Sequence, residues 1–111
     1  MSSERTRGDV ATKLLFENER VRVWEMRLAP GERSPVHAHA LDNLLIQIDG
    51  DRIAVEPEPD TTGPYTEYLE ADVWPGHVLY VERGGVERAY NCGKRPYFEI
   101  LVELKDEPAS R

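Results

Sequence analysis

The sequence contains one cysteine, Cys92, among its 111 residues. An intrachain disulfide needs two cysteines and a thiolate metal cluster needs several, so both are excluded. Long apolar runs are also missing, and none approaches the length of a membrane-spanning helix. The opening residues, MSSERTRGDV, lack the apolar core of a signal peptide. We therefore expect a cytoplasmic protein that does not bind membranes.

Basic residues are also scarce. The chain has 14 Lys and Arg against 21 Asp and Glu, which gives a formal net charge of −7. Binding to nucleic acid or to an anionic membrane surface requires a clustered excess of basic side chains, so neither is expected. The remaining candidates for a partner are a small molecule or another protein.

Short runs of alternating apolar and polar residues recur along the chain, each closed by a Gly, Pro or Asn turn. Such runs predict strands, and no stretch has the apolar spacing of a helix. Closely spaced short strands favour a sandwich, a jelly roll or a barrel. We expect a single domain over residues 11–105, with flexible tails at 1–10 and 106–111. The predicted strands cover residues 13–16, 21–28, 36–40, 44–48, 52–55, 65–69, 78–81, 87–90 and 98–104.

Two histidines mark the first candidate site. His37 and His39 are two residues apart in a predicted strand, so both side chains should project from the same face. Two neutral imidazoles held side by side suit a transition metal. A pair of this kind without further ligands is weak evidence, because such histidines are more often exposed or hydrogen-bonded without a metal.

The residues around His37 and His39 follow a defined spacing pattern. Gly31, His37, His39, Asn43 and Gly50 match the pattern G(x)5HxH(x)3,4E(x)6G, with asparagine in place of glutamate.

A second spacing follows further along the chain. Gly76, Glu82, Gly84, Glu87 and Asn91 match the pattern G(x)5PxG(x)2H(x)3N, with glutamate in place of both the proline and the histidine. The two patterns are the motifs of the cupin superfamily, and over residues 13–104 the chain resembles a small single-domain cupin.

The resemblance implies an all-β fold, a small β-barrel also described as a double-stranded β-helix or jelly roll. It also implies that the first motif supplies three metal ligands and the second motif a fourth. Carried over by position, these are His37, His39, Asn43 and Glu87.

Two histidines and one carboxylate form a donor set that suits a divalent metal such as Fe, Mn, Zn or Ni and leaves positions open for other ligands. One carboxylate against a dication leaves a charge of about +1, which favours an anionic substrate. Asn43 can add a neutral carbonyl ligand or hydrogen-bond a bound water. Glu87 is a metal ligand, a catalytic base or a residue that faces solvent.

Two further polar residues are possible members of a site. Gln47 shares the parity of Asn43 on its strand, so it either orients a substrate in the interior or bonds to backbone. His77 lies beside the Gly76 turn, where a surface position without a role is expected.

The resemblance leaves the activity open, because cupins include dioxygenases, isomerases, lyases and cyclases. We expect a metal-dependent cupin that acts on a small organic molecule, and whether it is an enzyme is undecided. The alternatives are a metal-free cupin that binds a small molecule without catalysis, and a structural subunit. The resemblance also implies a homodimer, since such barrels commonly pair through sheet edges.

Overall fold

A computed structural model describes Gly8 and residues 10–106 of the chain. Nine strands and no helix lie within this part, as the sequence predicts. They are β1 Lys13–Glu17, β2 Val21–Leu28, β3 His37–Ala38, β4 Asn43–Asp49, β5 Arg52–Pro57, β6 Leu69–Asp72, β7 Val78–Val81, β8 Val86–Tyr90 and β9 Tyr97–Leu104.

The strands form two antiparallel sheets. The first has the order β1-β2-β9-β4-β7 and the second the order β3-β8-β5-β6. Neighbours in each sheet are mostly distant in sequence, which is typical of a double-stranded β-helix rather than of a simple meander. The two sheets enclose a cavity, and both contribute to its wall.

The register of the five-stranded sheet determines which side chains face the cavity. Directly opposed residues of antiparallel strands project from the same face. One row that lines the cavity contains Leu101, Leu45 and Leu79 from β9, β4 and β7. The neighbouring row on the same face pairs Gln47 with Glu99.

Two strand predictions need correction. The strand predicted at 36–40 is shortened to β3, because its ladder with β8 ends at the pair Ala38–Val86, next to the turn at Gly84, whose φ is +111°. The strand predicted at 65–69 is wrong in position, since β6 begins at Leu69. Arg52 of β5 lies opposite Asp72 in the observed register and forms exposed ion pairs to Glu70 and Asp72 at 3.1 and 2.6 Å.

The predicted tails lie largely outside the described residues, which omit 1–7, 9 and 107–111. The described residues near both ends make contacts with the barrel. The Gly8 amide donates to the Val36 carbonyl at 2.9 Å, and Val10 is buried beside Trp24 and Leu101. Asp106 pairs with Arg83 at 2.8 Å.

Long apolar helices of the kind that cross a membrane do not occur in the part of the chain that the structure describes.

Candidate metal centre and ligand cavity

His37 and Glu87 are brought together by strand pairing. They are directly opposed on β3 and β8, so both side chains project from the same face of the four-stranded sheet. His39 lies just beyond the end of β3, where its amide donates to the Gly85 carbonyl at 2.8 Å. All three side chains are buried and line the cavity. Both histidines therefore lie in the same cavity, although only His37 belongs to the strand.

The donor atoms of these three residues converge. One candidate ligand atom from each of His37, His39 and Glu87 lies within 4.8 Å of the other two. His39 Nε2 lies 3.4 Å from Glu87 Oε2. The two imidazole rings meet edge to face, with centroids 4.8 Å apart. We refer to His37, His39 and Glu87 as the triad.

The surroundings of His37 favour a neutral imidazole with a free lone pair. Its Nδ1 lies 3.1 Å from the Pro35 carbonyl oxygen, which can only accept a hydrogen bond, so the proton belongs on Nδ1. Nε2 then carries the lone pair that a metal requires. Burial, and next the neighbouring His39, lower the pKa of His37, which further disfavours the charged form.

Several buried polar atoms of the cavity have no hydrogen-bond partner among the described residues. Glu87 Oε1, His39 Nδ1 and Asn43 Oδ1 are in this state. A buried carboxylate oxygen without a donor is costly, and a bound cation would offset this cost. The donor set and the unsatisfied carboxylate therefore fit a divalent metal.

Gly85 provides the space for this arrangement. A Cβ added at this position would lie 2.8 Å from Glu87 Oε1 and 3.5 Å from His39 Cδ2. The close approach of the backbone to two members of the triad thus depends on the absence of a side chain at Gly85.

The cavity has a volume of about 210 Å³. Its wall is largely apolar and includes Leu45, Ile53, Val55, Leu79 and Leu101. A cavity with apolar walls and a few converging polar groups is the usual form of a small-molecule site.

A second group of polar side chains in the cavity includes a residue that sequence analysis missed. Glu99 is almost completely buried, and burial raises its pKa to about 7. The Tyr97 hydroxyl donates to Glu99 Oε1, and burial is the main cause that raises the pKa of Tyr97. Tyr97, Glu99, Leu101 and Glu103 share one face of β9, but the opposite face is more apolar, so the alternation of the strand does not identify Glu99 as a cavity residue.

Solved structures with the same architecture decide the fold. A cupin domain from Bordetella pertussis Tohama I superposes with a TM-score of 0.73 at 21% identity, covering 95% of this chain and all of that one. An RmlC-like cupin with a double-stranded β-helix fold from Methanocaldococcus jannaschii gives 0.64 at 18% identity, covering 94% and 91%. The chain has the cupin fold.

Two curated proteins, both longer than this chain, also resemble it. The auxin-binding proteins T85 and T92 of Nicotiana tabacum are 23% and 22% identical over 100 residues, which is 89% of this chain. The chain spans about half the length of these relatives, 53% in each case. No family model matches the chain.

The glycines of the two cupin motifs have a structural explanation. Four of them have positive φ values that residues other than glycine rarely adopt: +84° at Gly31, +132° at Gly50, +86° at Gly76 and +111° at Gly84. Asn91, the last residue of the second motif, is fully buried and donates to the carbonyls of Leu28 and Arg95. These motif residues support turns rather than chemistry.

The remaining predicted site residues also line the cavity. Asn43 is fully buried on β4, and its Nδ2 donates a long hydrogen bond of 3.5 Å to the Leu41 carbonyl. Gln47 is buried and accepts from the Trp74 amide at 3.4 Å, so it both bonds to backbone and lines the cavity.

The expectation of a surface position for His77 is wrong. The residue is half-buried and lines the cavity, and its ring lies 5.5 Å from that of Trp74. The β4–β7 pairing explains this placement, because the Gln47 amide donates to the His77 carbonyl at 2.9 Å.

Proposed function

We propose that this cupin is a metal-dependent protein that acts on a small anionic organic molecule. The observation that carries the proposal is the buried triad, whose candidate ligand atoms lie within 4.8 Å of one another. His37 and His39 would hold the ion with neutral nitrogens and Glu87 with a carboxylate oxygen. A divalent metal such as Fe, Mn, Zn or Ni supplies Lewis acidity or oxygen activation when bound.

The charge of the site supports an anionic substrate. One carboxylate against a dication leaves about one positive charge in an apolar cavity, where it is poorly screened. A carboxylate or enolate group compensates that charge. Asn43 Oδ1, which has no hydrogen-bond donor among the described residues, is available to the ion or to a water bound there. Gln47 would position the substrate from the neighbouring part of the wall.

The second candidate is a metal-free cupin that binds a small molecule without catalysis. The 3.4 Å contact between His39 and Glu87 favours it, because these two side chains can then satisfy each other as an ion pair. Auxin binding is named for the tobacco relatives, so an auxin is a suitable probe for this candidate.

Elemental analysis of untagged protein, purified without chelator, separates the two candidates. Near-stoichiometric metal in the parent and its loss in the His37→Ala/His39→Ala double variant support metal dependence. His77→Ala serves as the matched control, because it removes a cavity histidine outside the triad. A metal-free parent that binds an auxin supports the second candidate instead.

We also propose a homodimer that pairs through the outer face of the five-stranded sheet. One row across that face is apolar throughout: Phe16, Val23, Val102, Leu44 and Tyr80 are successive opposed residues on β1, β2, β9, β4 and β7. Phe16 and Tyr80 at its ends are 53% and 58% exposed. A second copy of this face would remove the row from water.

A further inference from the structure

The cavity holds a second acidic residue that the triad does not use. Glu99 is 3% exposed and lines the cavity from β9, opposite Gln47 on β4. Its immediate protein partner is Tyr97, whose hydroxyl donates to Glu99 Oε1. Gln47 Nε2 in turn donates to the Tyr97 hydroxyl oxygen at 3.5 Å. The carboxyl group is therefore oriented by neighbours from two strands.

Strand geometry separates Glu99, which lies opposite Gln47, from Asn43 along the cavity wall. Asn43 and Gln47 are four residues apart on β4, which corresponds to about 13 Å along an extended strand. The row of Leu45 and Leu101 lies between them on the same face. The cavity thus has one polar group near Asn43 and another near Glu99, with an apolar strip between.

The protein leaves the hydrogen-bonding capacity of Glu99 incompletely used. Glu103, two residues along the same face, accepts from Trp24 Nε1 at 2.8 Å and from Arg22 Nε at 2.9 Å. Among the described residues, Glu99 receives a side-chain hydrogen bond from Tyr97 alone and pairs with no cation. Glu99 therefore accepts one hydrogen bond fewer than Glu103, whose two donors are typical of a buried carboxylate.

We propose that Glu99, oriented by Tyr97, is a ligand-binding residue that accepts a hydrogen bond from a hydroxyl or amine group of the bound molecule. Together with the proposed function, on which this part rests, it defines the substrate class as a small hydroxy or amino acid. The anionic group would lie at the triad, the apolar body would contact Leu45 and Leu101, and the donor would reach Glu99.

The size of the cavity is compatible with such a molecule. A dry cavity of about 150 Å³ admits benzene, and this one measures about 210 Å³. A six-membered ring with one polar substituent is therefore a suitable probe of the Glu99 end alone. The acceptor role does not depend on ionisation, since a protonated carboxyl keeps a carbonyl oxygen.

Phenol, aniline and toluene have nearly the same shape but differ in whether they carry an O–H donor, an N–H donor or no donor. Binding to the full chain is measured by NMR titration in the presence of a chelator, so that the outcome is independent of the metal. We expect phenol or aniline to bind at least about fivefold more tightly than toluene, the gain from one net hydrogen bond. Comparison of phenol with aniline shows which donor is preferred.

Two variants test whether the preference for probes with a hydrogen-bond donor depends on the Glu99 carboxyl group. Glu99→Met replaces it by an apolar side chain of similar length, which the surrounding leucines can accommodate, and should abolish the preference for donors. Tyr97→Phe removes the hydroxyl but keeps the carboxyl, and should retain the preference. Equal affinity for the three probes, failure of all three to bind, or a preference that survives Glu99→Met would overturn the proposal. Loss of metal binding in the separate elemental analysis would overturn the proposed function but leave this result standing.

Discussion

His37 and Glu87 are directly opposed residues on β3 and β8, and this pairing places an imidazole and a carboxylate side by side in the cavity. The glutamate stands where the second cupin motif has a histidine, so the substitution changes the donor set without moving the position. His39 joins them from just beyond β3, 3.4 Å from Glu87. A two-histidine, one-carboxylate site is the consequence.

Glu87→Gln tests the ligand assignment. The amide carries no charge and is a weak ligand, so metal affinity should fall tenfold or more, on the order of the loss when a ligating or supporting group is removed. Isothermal titration with Zn²⁺ measures the affinity. Glu56→Gln is the matched control, because Glu56 pairs with Arg33 outside the cavity. Equal affinities of parent and Glu87→Gln would remove Glu87 from the metal site.

Gly85→Ala tests the tight packing behind the triad. The added methyl would meet Glu87 Oε1 at 2.8 Å, so the carboxylate must shift. Because the end of a side chain moves more readily than backbone, we expect a clear loss of Zn²⁺ affinity with a change in unfolding free energy below about 1 kcal/mol. Unchanged affinity in a folded Gly85→Ala protein would show that the position of the carboxylate does not matter for binding.

Glu99 should make stability depend on pH in the metal-free protein. Its pKa is raised from 4.5 to about 7 in the folded state, so the folded protein binds more protons than the unfolded chain between these values. Below pH 4.5 the carboxyl is protonated in both states, so its burial costs least. As pH rises towards 7 the unfolded chain loses the proton more readily, and the unfolding free energy falls. Over that window Glu99→Gln should gain stability relative to the parent by up to about 3 kcal/mol. Urea denaturation across the pH range measures the difference, and a constant difference would contradict the shift.

Trp24 should stabilise the barrel through a buried hydrogen bond. Its Nε1 donates to the buried carboxylate of Glu103 at 2.8 Å. Trp24→Phe leaves that oxygen with one donor fewer and should cost about 2 kcal/mol or more in unfolding free energy. Trp74→Phe is the control, because Trp74 is 62% exposed and should change stability by less than about 0.5 kcal/mol. Similar small effects of both substitutions would contradict this role.

The outer face of the five-stranded sheet should hold the dimer together. Val78 is 52% exposed on that face, beside Ile46, so Val78→Lys should leave the barrel folded but place a charge in the interface. Sedimentation equilibrium should show a dimer for the parent and a monomer for this variant. Tyr68→Lys, at a residue that is 50% exposed before β6, is the control and should remain dimeric. A monomeric parent would contradict the proposed interface.

Most of the fold follows from local sequence patterns. The bounds of β2 and β7 agree with prediction because each is a run rich in apolar residues that ends close to a turn containing Pro or Gly. The position of β6 was not predictable from its own residues, since Tyr68 and Leu69 are better strand formers than Glu70 and Asp72. Its position is set by pairing with β5, across the loop that joins the two strands.

The triad was predictable from motif spacing, whereas Glu99 was not recognised as part of the cavity. The alternation of β9 explains the difference, because Phe98, Ile100 and Val102 form the more apolar face of the strand. A hydrophobic pattern by itself directs that face towards the core. In the structure Glu99 and Leu101 line the cavity instead, and the apolar residues lie on the outer face where dimerisation is proposed.

Anomalous diffraction from a crystal of protein loaded with one metal, recorded on both sides of that metal's absorption edge, tests the metal site most directly. The account predicts one strong anomalous peak per chain, within coordination distance of His37, His39 and an oxygen of Glu87. A cavity without a peak, or a peak that lacks Glu87 as a ligand, would contradict it.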